Sequence, residues 1–327
     1  MWELAGHSRA IRLFQQSLSS GQLSHAYLLV GPAHVGKSTL ARNLAQAVNC
    51  ESADPPCQEC TSCRRIAASK HSDVHTVDLL SLEKKEIGIR QIAEMQNVAH
   101  LPPFEGRCKV FIFDRAEMLS HEAANSLLKT LEEPPPNTLM ILLTARESAL
   151  LPTIASRCQR VELRPLPLQA MTDLLVKDYR VAPEKADLLA RLSRGCPGWA
   201  IAALRDEAIL SDREQRMAEI ASICSAGTPD RLAYAADLAA LFSKSRDKVA
   251  GILGMWLEWW RDLLLVKCGN GQWVINADQK ARLLAQAEKL APKSVAAFLR
   301  DIAAAGEQLE LNANPRLALE VLMLRMP

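Results

Sequence analysis

The stretch AYLLVGPAHVGKSTLARNL, residues 26–44, constrains the fold more than any other part of the chain. Five apolar residues run into GPAHVGKST at 31–39, which fits G-x-x-x-x-G-K-[ST] in full, and a helical pattern follows. Strand, loop and helix in that order are the context in which the motif is a phosphate cradle. Gly31 and Gly36 are expected to let backbone amides turn toward phosphate oxygens, and the helix opening near Lys37 adds its positive end. Lys37 brings a full charge to the outer phosphates and Ser38 a hydroxyl for magnesium, and Thr39, next in the chain, is a further nucleotide-binding candidate. A glycine turn that matches by chance is the bland alternative, and it does not explain why strand and helix flank the loop. ATP with Mg2+ is the expected ligand.

The rest of the first half fits such a loop. Apolar runs at 26–30, 74–80, 109–113, 138–144 and 160–164 alternate with helical patterns at 37–49, 88–99 and 120–132. That alternation predicts a parallel five-stranded sheet covered on both faces, with ligands at the carboxyl ends of its strands. Past Pro165 and Pro167 only helical periodicity remains. Residues 168–207 read as a small helical unit broken at RGCPGW (194–199). Helices are expected at 209–225, 228–242, 246–268, 278–291, 294–309 and 314–325, with a turn at GNGQ (269–272).

Composition excludes several classes. The 327 residues are too many for one ordinary core, so two or three domains are expected. Net charge is +2, so no global field marks a nucleic-acid or membrane binder. The start, MWELAGHSRA, lacks the pattern of a signal peptide, and a cytoplasmic protein is expected. The most apolar long stretch, 249–268, carries Glu258, Arg261 and Asp262 in its middle, which is costly in lipid. It reads as a buried helix with Trp256, Trp259 and Trp260 on one face.

Residues 109–119, KVFIFDRAEML, deliver Asp114 to the end of a strand as a second magnesium partner, with a helix N-cap as the alternative. The next residue is Arg115, which cannot orient water as a carboxylate does. Glu117 stands two positions too late and reads as ordinary helix-start chemistry.

Cys50, Cys57, Cys60 and Cys63 form C-x6-C-x2-C-x2-C. Four thiolates within fourteen residues suit a tetrahedral, structural zinc (Zn2+), since no residue among them offers an open catalytic position. An iron–sulfur cluster or four free thiols are the alternatives. The remaining cysteines, Cys108, Cys158, Cys196, Cys224 and Cys268, read as small buried hydrophobes. Arg64, Arg65, Lys70 and His71 make a modest basic stretch, read as a solvated helix face.

These motifs come in a recognisable order. LSHAYLLVGPAHVGKSTLARNLAQAVNC, CQECTSC, LPPFEGRCKVFIFDRAEML, ANSLLKTLEEPPP, ILLTARE and SRCQRVELRPL together resemble bacterial DNA polymerase III clamp-loader subunits of the AAA+ family, over about residues 5–205. The resemblance implies an α/β P-loop AAA+ domain at 1–166 with its zinc knuckle at 50–63, a helical lid at 167–208, and an all-α collar for oligomerisation at 209–327. Lys37 and Ser38 match the Walker A lysine and hydroxyl, and Asp114 matches the first Walker B acid. Arg115 occupies the position of the catalytic acid. Thr144 falls at the polar sensor position beside the γ-phosphate. Ser156-Arg157-Cys158 matches the SRC motif, whose arginine reaches a neighbouring subunit's ATP site. Unaided, Arg157 reads as a surface or salt-bridged arginine in a loop before the last strand. Gly198 stands where the motor subunits carry a lid arginine.

Within that resemblance, those two losses imply a non-motor subunit rather than an ATP-hydrolysing gamma/tau motor. The resemblance therefore implies a hetero-oligomer with delta and gamma/tau that acts on a sliding clamp and primer-template DNA. This chain's own ATPase would be weak or absent. The competing readings are a gamma/tau-like ATP-hydrolysing motor, with Glu117 or another acid supplying the missing carboxylate, and a stand-alone P-loop nucleic-acid remodeller.

Overall fold

The computed structural model describes residue 2, residues 4–77 and residues 86–327. They form two compact units, the first within residues 1–174 and 195–199, the second comprising 175–194 and 200–327.

The first unit is built on a sheet of β1 (Ala26–Val30), β2 (Val74–Val77), β3 (Lys109–Phe113), β4 (Thr138–Thr144) and β5 (Gln159–Glu162). The order is β2-β3-β4-β1-β5 and every pair is parallel. β1 lies between β4 and β5, with Tyr27 level with Ile141 on one side and Gln159 on the other. Of the run expected at 74–80, residues 78–80 lie outside the described residues. The last strand sits slightly earlier than the 160–164 expected. Leu163 still donates its N–H to Val30 O at 2.8 Å, after which Pro165 has no N–H to continue the ladder.

Among the described residues, six helices lie wholly in this unit: α1 (Ser8–Ser19), α2 (Lys37–Asn49), α3 (Thr61–Ala67), α4 (Ile89–Ala99), α5 (His121–Glu132) and the short α6 (Pro152–Ala155). Alternate strand residues sort onto two faces. Tyr27 and Leu29 pack with Leu40, Ala41 and Leu44 of α2 and with Phe14 of α1. Ala26, Leu28 and Val30 pack with Ile92 and Met95 of α4 and with Leu127 and Leu131 of α5. Burial on both faces explains why these strands read as unbroken apolar runs, each large aliphatic contributing about 1.5–3 kcal/mol. The central strands β3, β4 and β1 then end side by side, and their carboxyl ends carry Asp114, Thr144 and Gly31.

The rest of the chain is helical: α7 (Leu168–Lys177), α8 (Pro183–Leu192), α9 (Pro197–Arg205), α10 (Glu207–Ser225), α11 (Thr228–Lys244), α12 (Arg246–Lys267), α13 (Lys280–Lys289), α14 (Pro292–Glu310) and α15 (Pro315–Leu324). Trp256, Trp259 and Trp260 of α12 are fully buried in the core of the second unit, and Trp260 meets Phe298 of α14 with ring centroids 4.5 Å apart. The charges of α12 are accounted for locally. Buried Asp262 accepts hydrogen bonds from the amides of Ile275 (2.9 Å) and Asn276 (2.8 Å) and from Asn276 Nδ2 (2.9 Å), and it pairs with Arg261. Burial pushes the Glu258 carboxyl above its ordinary value, against the pull of Arg194, which pairs with it at 2.9 Å. Among the described residues no helix is long and apolar enough to cross a membrane.

One expectation about the scattered cysteines fails. Cys196 and Cys224 are buried, and Cys108 and Cys158 are partly so, but Cys268 is exposed. It is the C-cap of α12, where the chain leaves the core for the turn at Gly269, whose φ is +76°.

Candidate nucleotide site and cysteine knuckle

The loop after β1 bends as its glycines require. Gly36 adopts φ +112°, a left-handed conformation open to glycine and strained for other residues, and caps α2 without any side-chain hydrogen bond. The first-turn amides of α2 therefore point into the loop with no side chain capping them, as an anion site needs. Gly31 takes a different part from the one expected of it. Its N–H donates to Thr144 O at 3.1 Å, so it extends the β1–β4 ladder and is not itself a phosphate donor.

Lys37 is buried at the centre of the loop, its Nζ donating to Gly31 O (2.6 Å) and Pro32 O (2.8 Å). Burial pushes its pKa below the ordinary value, opposed first by the negative charge of Glu117 and then by that of Asp114. Ser38 is exposed on the first turn of α2 and Thr39 is partly buried behind it. Thr144 is fully buried, and its hydroxyl oxygen accepts the Arg146 N–H at 3.0 Å, which leaves its proton to donate.

Asp114 is no helix cap. Its Oδ1 accepts the Arg115 N–H at 3.1 Å, while Arg115, at φ +54°, is the residue that precedes the short 3-10 turn Ala116–Met118. Arg115 is exposed, and its charge, after partial burial and Lys37, contributes to lowering the pKa of His34 in the loop. Glu117, expected to serve as ordinary helix-start chemistry, turns back instead. The 3-10 turn brings its carboxylate back across the strand ends, where Oε1 accepts the Ala145 N–H at 3.4 Å. Its placement depends on the left-handed Arg115, which no periodicity in the sequence signals.

Gly198 lies against the same loop. Its N–H donates to His34 O at 2.9 Å, and a Cβ placed on it would stand 2.9 Å from that oxygen. The backbone of α9 thus approaches the phosphate loop where a longer residue would have to push it away.

Arg157 follows the short helix α6 rather than lying in a plain loop. Ser156 caps that helix, and turns of this length carry too little periodicity to be seen in sequence. The guanidinium is held within the unit, by Glu132 Oε1 at the end of α5 (2.6 Å), Thr153 O (3.0 Å) and Ser156 Oγ (3.4 Å). It remains partly exposed, and Glu132 more so.

The four cysteines come together as expected. Cys50, Cys57, Cys60 and Cys63 bring sulfurs within 4.8 Å of one another, and all four are free. Zn–S bonds of about 2.3 Å in a tetrahedron require sulfurs about 3.8 Å apart, so the cluster is close to the size of a zinc site. Backbone amides point at the sulfurs: Ser52 and Cys57 N–H at Cys50 Sγ (both 3.4 Å), Cys60 N–H at Cys57 Sγ (3.3 Å), and Cys63 N–H at Cys60 Sγ (3.4 Å). Such donors favour thiolates, and those from Cys60 and Glu59 bring the Cys57 thiol down to about 6. Burial pushes Cys63 the other way. The donor set fits zinc.

The basic stretch beyond the knuckle dissolves on inspection. His71 is buried, its Nδ1 accepting the Asp73 N–H (3.2 Å) and its Nε2 meeting Ser62 Oγ (3.0 Å), while Arg65 pairs with Glu105 at 2.5 Å. An apolar-poor stretch hides such packing: Arg65 finds Glu105 forty positions on, and His71 is sealed by Ser62 and Asp73 close by in the chain. Asp73, 1% exposed, accepts the amides of Phe104, Glu105 and Gly106 at 2.7–2.8 Å, and that cage fastens the loop leading into β3.

A five-stranded parallel sheet with a phosphate-loop sequence after β1, together with an all-helical second unit, defines an α/β P-loop protein. The comparisons narrow this. The family model for "DNA polymerase III, delta subunit" matches residues 6–167, and that for its C-terminal part matches 211–326. The chain is 30% identical to the DNA polymerase III subunit delta′ of Bacillus subtilis over 97% of this chain and 95% of that one. It is 35% identical to the tau subunit of Escherichia coli over 64% of this chain but only 33% of that longer protein. Among solved structures, a DNA polymerase III gamma subunit-related protein from Thermotoga maritima matches 96% of this chain and 98% of that one, at 19% identity and a TM-score of 0.41. The chain belongs to the DNA polymerase III delta′ family.

Proposed function

We propose that this chain is the delta-prime subunit of a bacterial replicative clamp loader, which holds Mg2+-ATP and offers Arg157 to a neighbouring subunit while the assembly loads a sliding clamp onto primed DNA. The observation that carries it is a division of the catalytic parts. The groups that hold a phosphate are in place, with Lys37 buried in its loop and the α2 amides uncapped. The groups that would cut one are not, since Arg115 stands in the acid position and Gly198 in that of the lid arginine. Bound nucleotide and magnesium would supply the charge that Lys37, Ser38, Thr39, Asp114 and Thr144 are arranged to meet. Zinc at Cys50, Cys57, Cys60 and Cys63 would fix the knuckle as a structural element.

Arg157 suits donation in trans. An exposed ion pair such as Arg157–Glu132 is worth about 0–1 kcal/mol, so a phosphate on a neighbour can take the guanidinium from Glu132 at little cost. A guanidinium delivered to a transferring phosphoryl group raises rates by about 10³–10⁵. The partners are the delta and gamma/tau subunits, with clamp and primer-template DNA met through the assembly, and the setting is cytoplasmic.

The test is clamp- and DNA-stimulated ATP turnover by the reconstituted loader, with assembly of each variant checked. Arg157→Ala is expected to cut turnover by about tenfold or more, and Lys37→Ala to leave it nearly unchanged. The motor reading has one observation in its favour, the placement of Glu117 beside Ala145. It would be upheld if Lys37→Ala removed a proportional share of turnover.

A further inference from the structure

Gln46 is a polar residue in a buried stretch of helix. It is 1% exposed in α2, where its neighbours Leu44, Ala45 and Ala47 are buried with it. Both hydrogens of its amide are used: Nε2 donates to Cys63 O at 2.9 Å and to Gln58 Oε1 at 2.7 Å. Its own Oε1 is buried with no hydrogen-bond partner among the described residues. A buried polar oxygen left bare costs free energy, so an amide in this orientation is set by the acceptors it serves. Those acceptors belong to the cysteine knuckle. The four sulfurs come from three pieces of chain: Cys50 caps the C-terminus of α2, Cys57 stands in the turn with Gln58 at φ +65°, and Cys60 and Cys63 open α3. The backbone amides that point at the sulfurs follow the chain from one ligand to the next. Gln46, one turn before Cys50, reaches across it, to the turn and to α3 at once. The helix end beneath it is anchored without any metal, because Asn49 Oδ1 accepts the N–H groups of Arg107 (2.8 Å) and Cys108 (2.9 Å) at the entry to β3.

We propose that Gln46 is the positioning residue of the zinc knuckle: its amide fastens the Cys57–Cys60 turn and Cys63 to α2, and this preset arrangement determines how tightly the knuckle holds zinc. The proposal rests on the zinc reading of the four cysteines. Four thiolates within 4.8 Å of one another repel until a cation meets them, and a ligand set free to spread must be ordered again each time metal binds. Residues behind the ligands remove that cost by holding the ligand segments in place, and losing one typically lowers metal affinity about 10–100-fold. Gln46 holds two ligand segments with one side chain, through the carbonyl of Cys63 itself and through the residue that follows Cys57. A buried glutamine that only filled space would leave zinc affinity unchanged when replaced by a residue of its own shape.

The experiment is zinc competition between the full-length chain and a chromophoric chelator, for wild type, Gln46→Met, Gln58→Ala and Thr130→Val, with circular dichroism and melting temperature recorded for each. Methionine keeps the unbranched length of glutamine and removes the amide. Thr130→Val is the control: it takes a buried acceptor from Gln96 Nε2 (2.9 Å) on α5, across the sheet from α2. Wild type is expected to bind zinc, Gln46→Met to weaken that binding about tenfold or more, and Gln58→Ala about threefold. Thr130→Val is expected to keep wild-type zinc affinity while its melting temperature falls. Wild-type zinc affinity in Gln46→Met overturns the proposal and leaves the zinc reading standing. An equal loss in Thr130→Val also overturns it, by tracing the effect to general stability. Should Gln46→Met not fold, Gln58→Ala decides, and an unchanged affinity there overturns the proposal. No zinc bound by wild type removes the zinc reading, and the proposal with it.

Discussion

At the scale of single residues, the parts of the site that were legible are those whose chemistry is local. Lys37 and Ser38 announce themselves because the loop's spacing dictates where an ammonium and a hydroxyl fall. Glu117 and His71 were misread, because what matters for each is a partner brought by the fold. Glu117 meets Ala145, 28 positions on, and His71 Nδ1 lies 3.6 Å from Glu105, 34 positions on. Gly198 shows the converse: its absence of a side chain was visible, but its reason, the approach to His34 O, was not. Asp73 belongs to this scale and gives a measurable pH dependence. Burial would raise its carboxyl, but the three amides of Phe104, Glu105 and Gly106, with the nearby His71, outweigh it and hold the group below its ordinary value. A depressed carboxyl contributes stability that is present above its unfolded value, about 3.9, and is lost as pH falls through the folded one. Asp73→Asn is therefore expected to cost about 1.5–3 kcal/mol at pH 7. The gap to wild type should shrink once pH drops below about 4. Urea unfolding midpoints across that range decide it; a gap independent of pH would mean the carboxylate charge is not what holds the loop.

At the scale of elements, the strands were readable because burial on both faces makes them apolar throughout, and α2 matches its expected bounds of 37–49. The helices that escaped notice are short or begin among turn-forming residues. α3 starts just after its N-cap Cys60, where the knuckle's spacing dominates the pattern, and α6 is a single turn. The knuckle ties these pieces together. Cys60 caps α3 through its sulfur, and Gln46 of α2 donates to Cys63 O at 2.9 Å and to Gln58 at 2.7 Å. If zinc fixes this arrangement, elemental analysis of the purified chain should find one zinc per chain and no iron. Cys63→Ser should abolish it and lower the melting temperature of the first unit, by about 2–4 °C for each kcal/mol lost. Stoichiometric iron with visible absorbance would replace zinc by a cluster. A metal-free protein with an unchanged melting temperature would reduce the four cysteines to a packed group of thiols.

At the scale of the whole molecule, every residue assigned to nucleotide lies in the first unit, including the turn at 195–199 that carries Gly198. The second unit has its own core around the three tryptophans of α12 and its own buried carboxylate. Its all-helical class was legible from periodicity, and the buried tryptophan face from their spacing. What periodicity could not convey is why an aspartate belongs in that helix: Asp262 organises the 275–276 turn by taking two backbone amides and one side-chain amide at once. Asp262→Ala would leave those donors buried without an acceptor, and breaking such a site costs about 3–5 kcal/mol. The unfolding midpoint should fall accordingly. Affinity for Mg2+-ATP, measured on the folded variant, should stay within about twofold of wild type, because this network belongs to the second unit and the phosphate loop to the first. A parallel loss of affinity would mean that the loop depends on the helical unit for its shape, and nucleotide binding would then be a property of the whole chain rather than of the sheet domain.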